Sequence, residues 1–230
     1  RLIMREYFKK IPVLVWLTNI ISSIKIIIQY SIGINVKTQD ERANPSDAEW
    51  ENNPWSIVFK KRSDFAKNYT HNKNVLDLCC GTGWTTFEIG KIANQVIGVD
   101  YSDEALEIAR RKYGGNNITY KKMNALALEF STESFDSVVS MEAIEHFAQQ
   151  DGKKFISEAY RVLKKGGIFI GSTPQVEDRN PINLLALKKI DPFHLYLYSE
   201  KMLENILLEI FNEVEVIPQK EGWLLFIARK

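Results

Sequence analysis

The stretch "NVLDLCCGTGW", from Asn74 to Trp84, joins a short apolar run to a turn that contains two glycines. The run "NVLDLC" (74–79) has the length and apolar content of a buried β-strand. Gly81 and Gly83 follow it, and residues without side chains let the backbone approach a ligand closely. A helical pattern comes next, so the N-terminal amides of that helix would face the same ligand. The stretch therefore predicts a strand, a ligand-binding loop and a helix in succession.

Two adjacent cysteines, Cys79 and Cys80, stand at the end of this strand, and the chain has no others. Neighbouring strand residues point to opposite faces, which disfavours a ligand pair or a redox couple, and a four-thiolate zinc site within one chain is excluded. Elsewhere no group of histidines, cysteines and carboxylates has metal-ligand spacing, so we expect no metal. Adjacent cysteines do not form an ordinary structural disulfide, and no cleavable signal pattern is visible. Both features favour a cytoplasmic protein.

The composition is that of one sizeable globular domain with some appended structure. The chain has 230 residues, of which 45% are hydrophobic and 26% charged, and its formal net charge is +1. Binding to a nucleic-acid backbone needs an excess of basic residues, so we expect no nucleic-acid partner.

Beyond residue 55, short β-rich runs alternate with helical patterns, which predicts a largely parallel sheet covered by helices on both faces. The first five predicted strands are 74–79, 95–100, 118–123, 135–141 and 166–172. Helical patterns such as "SDEALEIARRKY" (102–113) and "DGKKFISEAYRVLKK" (151–165) separate them. The last two runs, 212–219 and 223–230, are joined by a turn too short for a helical crossover and must pair antiparallel.

The N-terminal segment 11–36 contains one charged residue, Lys25. Polar residues recur along it at three- and four-residue steps, which predicts an amphipathic helix in preference to a membrane span; they are Thr18, Ser22, Lys25 and Gln29. We expect the helix to pack on its own domain or on a twin subunit in a homodimer, or to lie in a membrane interface as a peripheral contact. The polar stretch 37–55 is typical of a linker. We place the helix and linker at 1–44 and the main domain at 45–230.

The loop after the first strand discriminates between nucleoside cofactors. A dinucleotide fingerprint carries a third glycine, but here the loop reads "GTGWTT" (81–86). Asp77 lies in the strand before the loop, where an acid is unfavourable beside a pyrophosphate and favourable beside an ammonium group. Asp100 ends the second strand, seventeen residues beyond Gly83, in a position suited to a ribose diol. These charges favour S-adenosylmethionine over a dinucleotide.

Five segments have the order and spacing of one known family: "VLDLCCGTG", "VIGVDYSDEALEIARRKY", "FDSVVSMEAIEHF", "RVLKKGGIFIGSTPQ" and "DPFHLYLYSEKMLENILLEIFNEVEVIPQ". Over about residues 55 to 230 the chain resembles the class I S-adenosylmethionine-dependent methyltransferases, especially the group that includes ubiquinone-biosynthesis O-methyltransferases and glycan-pathway methyltransferases. The resemblance implies an α/β fold with a Rossmann-like seven-stranded mixed sheet, an antiparallel last strand and helices on both faces. The predicted N-terminal amphipathic helix is additional to this fold.

The resemblance also implies which residues hold the cofactor. Asp77, Gly81 and Gly83 would surround the methionine part, and Asp100 would hold the ribose hydroxyls. Tyr101 would lie against the adenine. After the third strand the family usually has an acid, where this chain has Asn124, whose carbonyl oxygen can still accept from the adenine amino group. The remaining positions predicted to line the cofactor are Cys79, Ala125 and Met141.

Methyl transfer to oxygen or nitrogen needs a base only when the acceptor starts out protonated. The segment "MEAIEHF" (141–147) follows the fourth strand and brings Glu142, Glu145 and His146 to the ligand end of the sheet. His146 is the first candidate base, although it would equally serve to fix the loop through a backbone hydrogen bond. His194, in an aromatic-rich region before the last helix, is the second. Glu142 is the third catalytic candidate, with lining of the methionine pocket as its alternative role.

The sequence thus predicts an S-adenosylmethionine-dependent methyltransferase that acts on oxygen, or nitrogen, of a small, sugar or lipid-linked acceptor. The alternative is a non-catalytic scaffold that binds the same cofactor. The glycine loop and Asp100 favour cofactor binding under both hypotheses, and the histidines and carboxylates near the fourth strand favour an enzyme.

Overall fold

The computed structural model of the protein describes residues 54–176, 193–220 and 222–230. The chain divides into two units, one of residues 1–41 and 177–194 and one of residues 42–176 and 195–230. Phe193 and His194 are the described residues of the first unit; all other described residues belong to the second. The predicted amphipathic helix, the linker and the domain boundary at residue 44 lie outside the described residues and stay predictions.

Seven strands of the described residues form one sheet in the order β3-β2-β1-β4-β5-β7-β6. They are β1 (Asn74–Leu78), β2 (Gln95–Asp100), β3 (Ile118–Lys122), β4 (Phe135–Met141), β5 (Leu163–Pro174), β6 (Glu213–Pro218) and β7 (Trp223–Arg229). Strands β1 to β5 run parallel, whereas β7 is antiparallel to both β5 and β6. This confirms the predicted mixed sheet and its antiparallel terminal pair.

Strand β5 extends beyond both ends of the predicted run 166–172: Leu163 pairs with Phe135 of β4 at its start, and its far end pairs with β7. The antiparallel ladder runs from Ile168 opposite Arg229 to Pro174 opposite Trp223. At this far end β5 continues past the end of β4, where Met141 is opposite Ser172. Thr173 and Pro174 therefore extend over the edge of the sheet at which the parallel strands end.

Five helices and one 3₁₀ turn accompany the strands in the described residues. They are α1 (Pro54–Lys67), α2 (Trp84–Gly90), α3 (Asp103–Lys112), the 3₁₀ turn (Ile144–His146), α4 (Gln149–Val162) and α5 (Glu200–Leu208). The side chains of Ser102 and Ser199 cap α3 and α5 by accepting from the backbone N–H groups of Ala105 and Met202. None of the helices in the described residues has the length and apolar character needed to cross a bilayer.

The core lies on both faces of the sheet, as alternation along the strands requires. On one face Leu76 and Leu78 of β1 belong to a large apolar cluster that includes Phe155 of α4 and Leu203 of α5. On the other face Val75 belongs to a smaller cluster with residues of α1 and α2. Asp77 follows the alternation of Val75 and therefore points toward α2, the helix that follows the glycine loop.

The carboxyl ends of β1 and β4, which are neighbouring strands, leave the sheet in the same unusual way. Cys79 after β1 has φ 63° and Glu142 after β4 has φ 52°, both in the left-handed region. Non-glycine residues in this region cost of the order of 1 to 3 kcal/mol and are concentrated at functional sites. The backbone is thus locally strained at the carboxyl ends of β1 and β4, beside the glycine loop.

Candidate active site

The glycine loop is fixed to the sheet by backbone hydrogen bonds. Cys80 donates its N–H to the carbonyl of Val99 on β2 at 2.9 Å, and Gly83 donates its N–H to the carbonyl of Cys80 at 3.0 Å. Gly83 has φ 90°, and a Cβ placed there would lie 2.6 Å from Tyr120 Oη, so glycine is required at this position. Gly81 has φ 53°, and a Cβ added there would meet nothing within 4 Å, which leaves the loop open on that side.

Asp100 at the end of β2 is held next to this loop by two amides. Gly81 donates its N–H to Asp100 Oδ2 at 2.9 Å, and Ser102 donates its N–H to Oδ1 at 2.9 Å. A carboxylate oxygen can accept a second hydrogen bond, so both oxygens retain the capacity to bind a hydroxyl. The side chain is half-buried. The structure therefore brings two of the predicted cofactor residues, Gly81 and Asp100, into direct contact.

Asp77 is a different kind of carboxylate. It is 1% exposed, and Thr86 of α2 donates its hydroxyl to Asp77 Oδ2 at 2.6 Å. Burial raises the pKa of Asp77 to about 7, and the nearby Asp100 carboxylate contributes to the same shift. Among the described ion pairs, none involves Asp77. A buried acid that lacks a cationic partner within the described part of the chain matches the predicted role beside an ammonium group.

The two residues predicted to contact the adenine, Tyr101 and Asn124, and the predicted cofactor-lining residue Ala125 follow β2 and β3. Tyr101 is 74% exposed, with the Lys122 ammonium 5.6 Å from its ring centroid. Asn124 is exposed, and its Oδ1 accepts the N–H of Leu126 at 2.9 Å, which fixes the side chain and leaves one lone pair. Ala125 is buried beside it. These three residues lie at the ends of neighbouring strands, as a common binding site requires.

The remaining lining residues, Cys79 and Met141, are half-buried. Cys79 packs against the large apolar cluster, whereas Cys80 packs on the opposite side beside Tyr120. Burial raises the pKa of both thiols. Neither cysteine is therefore a thiolate at neutral pH, and both contribute mainly to packing.

The segment after β4 contains two of the three catalytic candidates. His146 ends the 3₁₀ turn, is half-buried, and donates its backbone N–H to the carbonyl of Ala143 at 3.1 Å. Glu142 Oε1 accepts from the Ser172 hydroxyl at 2.7 Å, and Glu142 Oε2 pairs with Arg62 Nη2 at 2.8 Å. His194 is half-buried and belongs to the other unit of the chain, so its predicted role stays a prediction.

Glu145 lies between Glu142 and His146 in the sequence, and its side chain is fully buried. Its Oε2 accepts from the Thr173 hydroxyl at 2.9 Å, and its backbone carbonyl accepts the N–H groups of Leu195 and Tyr196 at 2.8 and 3.0 Å. Burial, reinforced by the Glu142 carboxylate, raises its pKa well above the usual range. Glu145 therefore joins the 3₁₀ turn to β5 and to the segment that precedes α5.

Two further residues of this region, Arg62 and Thr86, carry no signal in the sequence motifs. Thr86 is in the first turn of α2, where a threonine ordinarily suggests nothing more than packing. Arg62 reaches the site from α1, outside the five sequence segments that carry the resemblance. A charged residue in a helical segment is normally solvent-exposed, so only the fold reveals that Arg62 is 5% exposed.

Comparisons with known proteins agree with this geometry. A family model described as a methyltransferase domain matches residues 75–167. A demethylmenaquinone methyltransferase of Chlorobaculum parvum is 30% identical over 176 residues, which are 74% of this chain and 70% of the relative. A 2-methyl-6-phytyl-1,4-hydroquinone methyltransferase of Oryza sativa subsp. japonica is 40% identical over 166 residues, 71% of this chain and 48% of the relative. More generally, the chain spans about half to two thirds of the length of the curated relatives it matches first.

Solved structures show the same fold. The crystal structure of an S-adenosylmethionine-dependent methyltransferase from Mesorhizobium loti has a TM-score of 0.60 to this chain at 18% identity. The similarity covers 80% of this chain and 99% of that one. At this level of identity the likeness establishes the fold alone.

Proposed function

The chain belongs to the class I S-adenosylmethionine-dependent methyltransferases, and from this premise we propose that it transfers a methyl group to oxygen, or nitrogen, of a small, sugar or lipid-linked acceptor. The cofactor of the family is S-adenosylmethionine. One observation carries the proposal: Asp77, a buried acid without a cationic partner among the described residues, and Asp100, an amide-held acid, flank the same glycine loop. This pair suits a ligand that has both an ammonium group and a ribose.

The residues of the candidate site fit each part of S-adenosylmethionine. Asp77 would complement the ammonium, Asp100 would accept from the ribose hydroxyls, and Tyr101 offers an exposed ring to the adenine. When bound, S-adenosylmethionine supplies a methyl group that its sulfonium activates. The protein contributes alignment and exclusion of water, and positioning alone is worth roughly 7 to 11 kcal/mol in favourable cases.

For a hydroxyl acceptor we assign proton removal to His146. Imidazole is the side chain whose ordinary pKa best suits a base near neutral pH. Glu142 is less suited to this role, because its Oε1 already accepts from the Ser172 hydroxyl and its Oε2 is paired with the Arg62 guanidinium. We assign it to binding the acceptor. For an acceptor with an unprotonated nitrogen no base is needed, and the same residues would only position it.

Among the three acceptor classes, a lipid-linked acceptor has the most support. The relatives from Chlorobaculum parvum and Oryza sativa are named for demethylmenaquinone and for a phytyl hydroquinone. The sequence prediction of an amphipathic N-terminal helix is consistent with an acceptor that is held in a membrane.

The test is transfer of labelled methyl from S-adenosylmethionine into separate lipid and aqueous metabolite extracts. We expect label in the lipid fraction, and none with heat-denatured protein. Calorimetry with S-adenosylhomocysteine and with NAD, run in parallel, should show binding of the first only. Binding of S-adenosylhomocysteine without transfer to any fraction would instead support the non-catalytic scaffold.

A further inference from the structure

Arg62 is a buried cation in contact with the acceptor side of the site. It lies on α1, is 5% exposed, and its guanidinium carbon is 4.8 Å from the ring centroid of Trp223 and 5.8 Å from that of Phe59. Trp223 begins β7 opposite Pro174, the last residue of β5. The aromatic rings therefore hold the guanidinium plane at the edge where the parallel strands end.

The partner of Arg62 is Glu142, and that carboxylate is fixed from several sides. Arg62 Nη2 lies 2.8 Å from Glu142 Oε2, while Ser172 donates its hydroxyl to Oε1 at 2.7 Å. The backbone N–H of Glu142 donates to the carbonyl of Ser172 at 3.0 Å, and the residue has a left-handed φ of 52°. The Glu142 side chain is nevertheless 26% exposed, so a ligand can still reach it.

We call the group formed by Arg62, Glu142 and Ser172 the array, and its position in the sheet indicates which ligand it binds. Apart from Met141, the residues assigned to the cofactor follow β1, β2 and β3. The array lies at the ends of β4 and β5, and it is therefore available to bind the methyl-acceptor substrate. A carboxylate accepts hydrogen bonds and does not donate them, and it repels an anionic group of a ligand. It therefore suits an acceptor substrate that presents a hydroxyl or an amine.

We infer that Arg62 is a positioning residue, which acts through Glu142 by fixing that carboxylate as the hydrogen-bond acceptor for a hydroxyl or amine of the methyl-acceptor substrate. The inference rests on the proposed function. The inference goes further than the proposed function, because it assigns acceptor specificity to Arg62 of α1, which lies outside the five sequence segments quoted for the family. A guanidinium suits this position because it lies over the Trp223 ring while it pairs with the Glu142 carboxylate, and a lysine reproduces only the charge.

The experiment compares Arg62→Met, Arg62→Lys, Glu142→Gln and the double variant Arg62→Met/Glu142→Gln. Lys60→Met is the matched control, because Lys60 is on the same helix with a side chain that is 73% exposed. Radiolabelled S-adenosylmethionine and the lipid extract are the probes for transfer, and S-adenosylhomocysteine is the calorimetric probe for cofactor binding. Thermal unfolding reports whether each variant folds.

We expect Arg62→Met to bind S-adenosylhomocysteine with an affinity within about twofold of the wild type, while transfer falls about 10- to 100-fold, the loss typical of a misplaced positioning group. Arg62→Lys should recover part of the rate. The double variant should be no slower than Glu142→Gln alone, because residues that act as a unit are not additive. The apparent KM for the extract should rise, whereas the KM for S-adenosylmethionine should not.

Transfer by Arg62→Met equal to that of wild type and Lys60→Met would overturn the inference, as would additive losses in the double variant. If Arg62→Met does not fold, Arg62→Lys and Ser172→Ala test the inference in its place. Both variants should slow methyl transfer without changing the affinity for S-adenosylhomocysteine. If that affinity falls together with thermal stability, the role of Arg62 is only structural. Absence of transfer by the wild type would instead reject the proposed function.

Discussion

At the scale of single residues, the two acids of the cofactor site differ in what surrounds them. Asp100 is half-buried and accepts two backbone N–H groups, which fix the orientation of its carboxylate. Asp77 is buried and accepts from Thr86 through its hydroxyl and its backbone N–H, and no cation of the described residues pairs with its ionised form. The first acid is preorganised for hydroxyl groups, and the second is suited to a cation that a ligand supplies.

Replacing Asp100 by alanine should weaken S-adenosylhomocysteine binding by about 1.5 to 3 kcal/mol, the range for hydrogen bonds to a charged group. Asp103→Ala is the control, since it removes an exposed acid three residues away, whose described partner is Lys122. Calorimetry on both variants measures the difference. An unchanged affinity in Asp100→Ala would remove this residue from the site.

Asp77 should make the stability of the cofactor-free protein depend on pH. Its pKa is raised from 3.8 in the unfolded chain to about 7 in the folded protein. The folded state therefore retains a proton that the unfolded state has lost, and stability from this group, fully present below about pH 4, is lost as pH rises through 7. The total is on the order of 4 kcal/mol.

Urea unfolding from pH 4 to pH 8 checks this prediction against Asp77→Asn, which keeps an acceptor for the Thr86 hydroxyl and cannot ionise. The free energy of unfolding of the wild type should fall relative to that of the variant as pH rises. Curves that stay parallel over this range would show that Asp77 is not protonated in the folded protein.

At the scale of elements, the strands were predictable because apolar runs, turns and glycines are local signals. The runs 74–79, 95–100, 118–123 and 135–141 match β1 to β4 within one residue. Helix α1 was not predicted. Its first residue, Pro54, falls in the stretch interpreted as a linker, where a proline at the start of a helix resembles a loop signal.

The residues of the candidate site also fall into two groups, those that could be predicted from the sequence and those that could not. Residues at or shortly after the end of a strand, such as Gly81, Asp100 and Glu142, could be placed at the carboxyl end of the sheet from sequence alone. Arg62 could not, because its position depends on how α1 packs against Trp223 and on the left-handed turn at Glu142. Both are properties of tertiary structure with no local sequence pattern.

The loop between β1 and α2 yields a prediction at this scale. Gly83→Ala should destabilise the protein by at least about 2 kcal/mol, from the left-handed backbone and from the clash with Tyr120 Oη. It should also weaken S-adenosylhomocysteine binding, because the loop must shift to relieve the clash. Gly114→Ala is the control, since Gly114 is exposed and a Cβ there meets only Arg110 O at 3.4 Å. Equal melting temperatures for the two variants would contradict the prediction.

At the scale of the whole molecule, the sheet order separates two tasks. β2 and β3 lie on one side of β1, and β4, β5 and β7 lie on the other. Apart from Met141, the residues assigned to the cofactor are at the end of β1 or on the first side, and the array of Arg62, Glu142 and Ser172 is on the second. Cofactor affinity and acceptor choice can therefore change independently, which fits a family whose relatives carry names for different acceptors.

The N-terminal segment supplies the last prediction. The sequence favours a helix from Ile11 to Ile34 that docks through its apolar face, either on a membrane or on another protein surface. Each large aliphatic side chain buried there would contribute roughly 1.5 to 3 kcal/mol before ordering costs. A protein that begins at Asn44 should therefore fold and bind S-adenosylhomocysteine like the full chain, while losing liposome association or a dimer contact.

Two full-length variants make the test specific to the apolar face. Ile21→Asp places a charge on that face and should reduce flotation with liposomes or the dimer fraction in light scattering, because a buried charge is strongly unfavourable. Ser22→Asp places the same charge on the predicted polar stripe and should have little effect. If the shortened protein and both variants behave like the full chain, docking is wrong. If the shortened protein unfolds, the segment belongs instead to the core of its own domain.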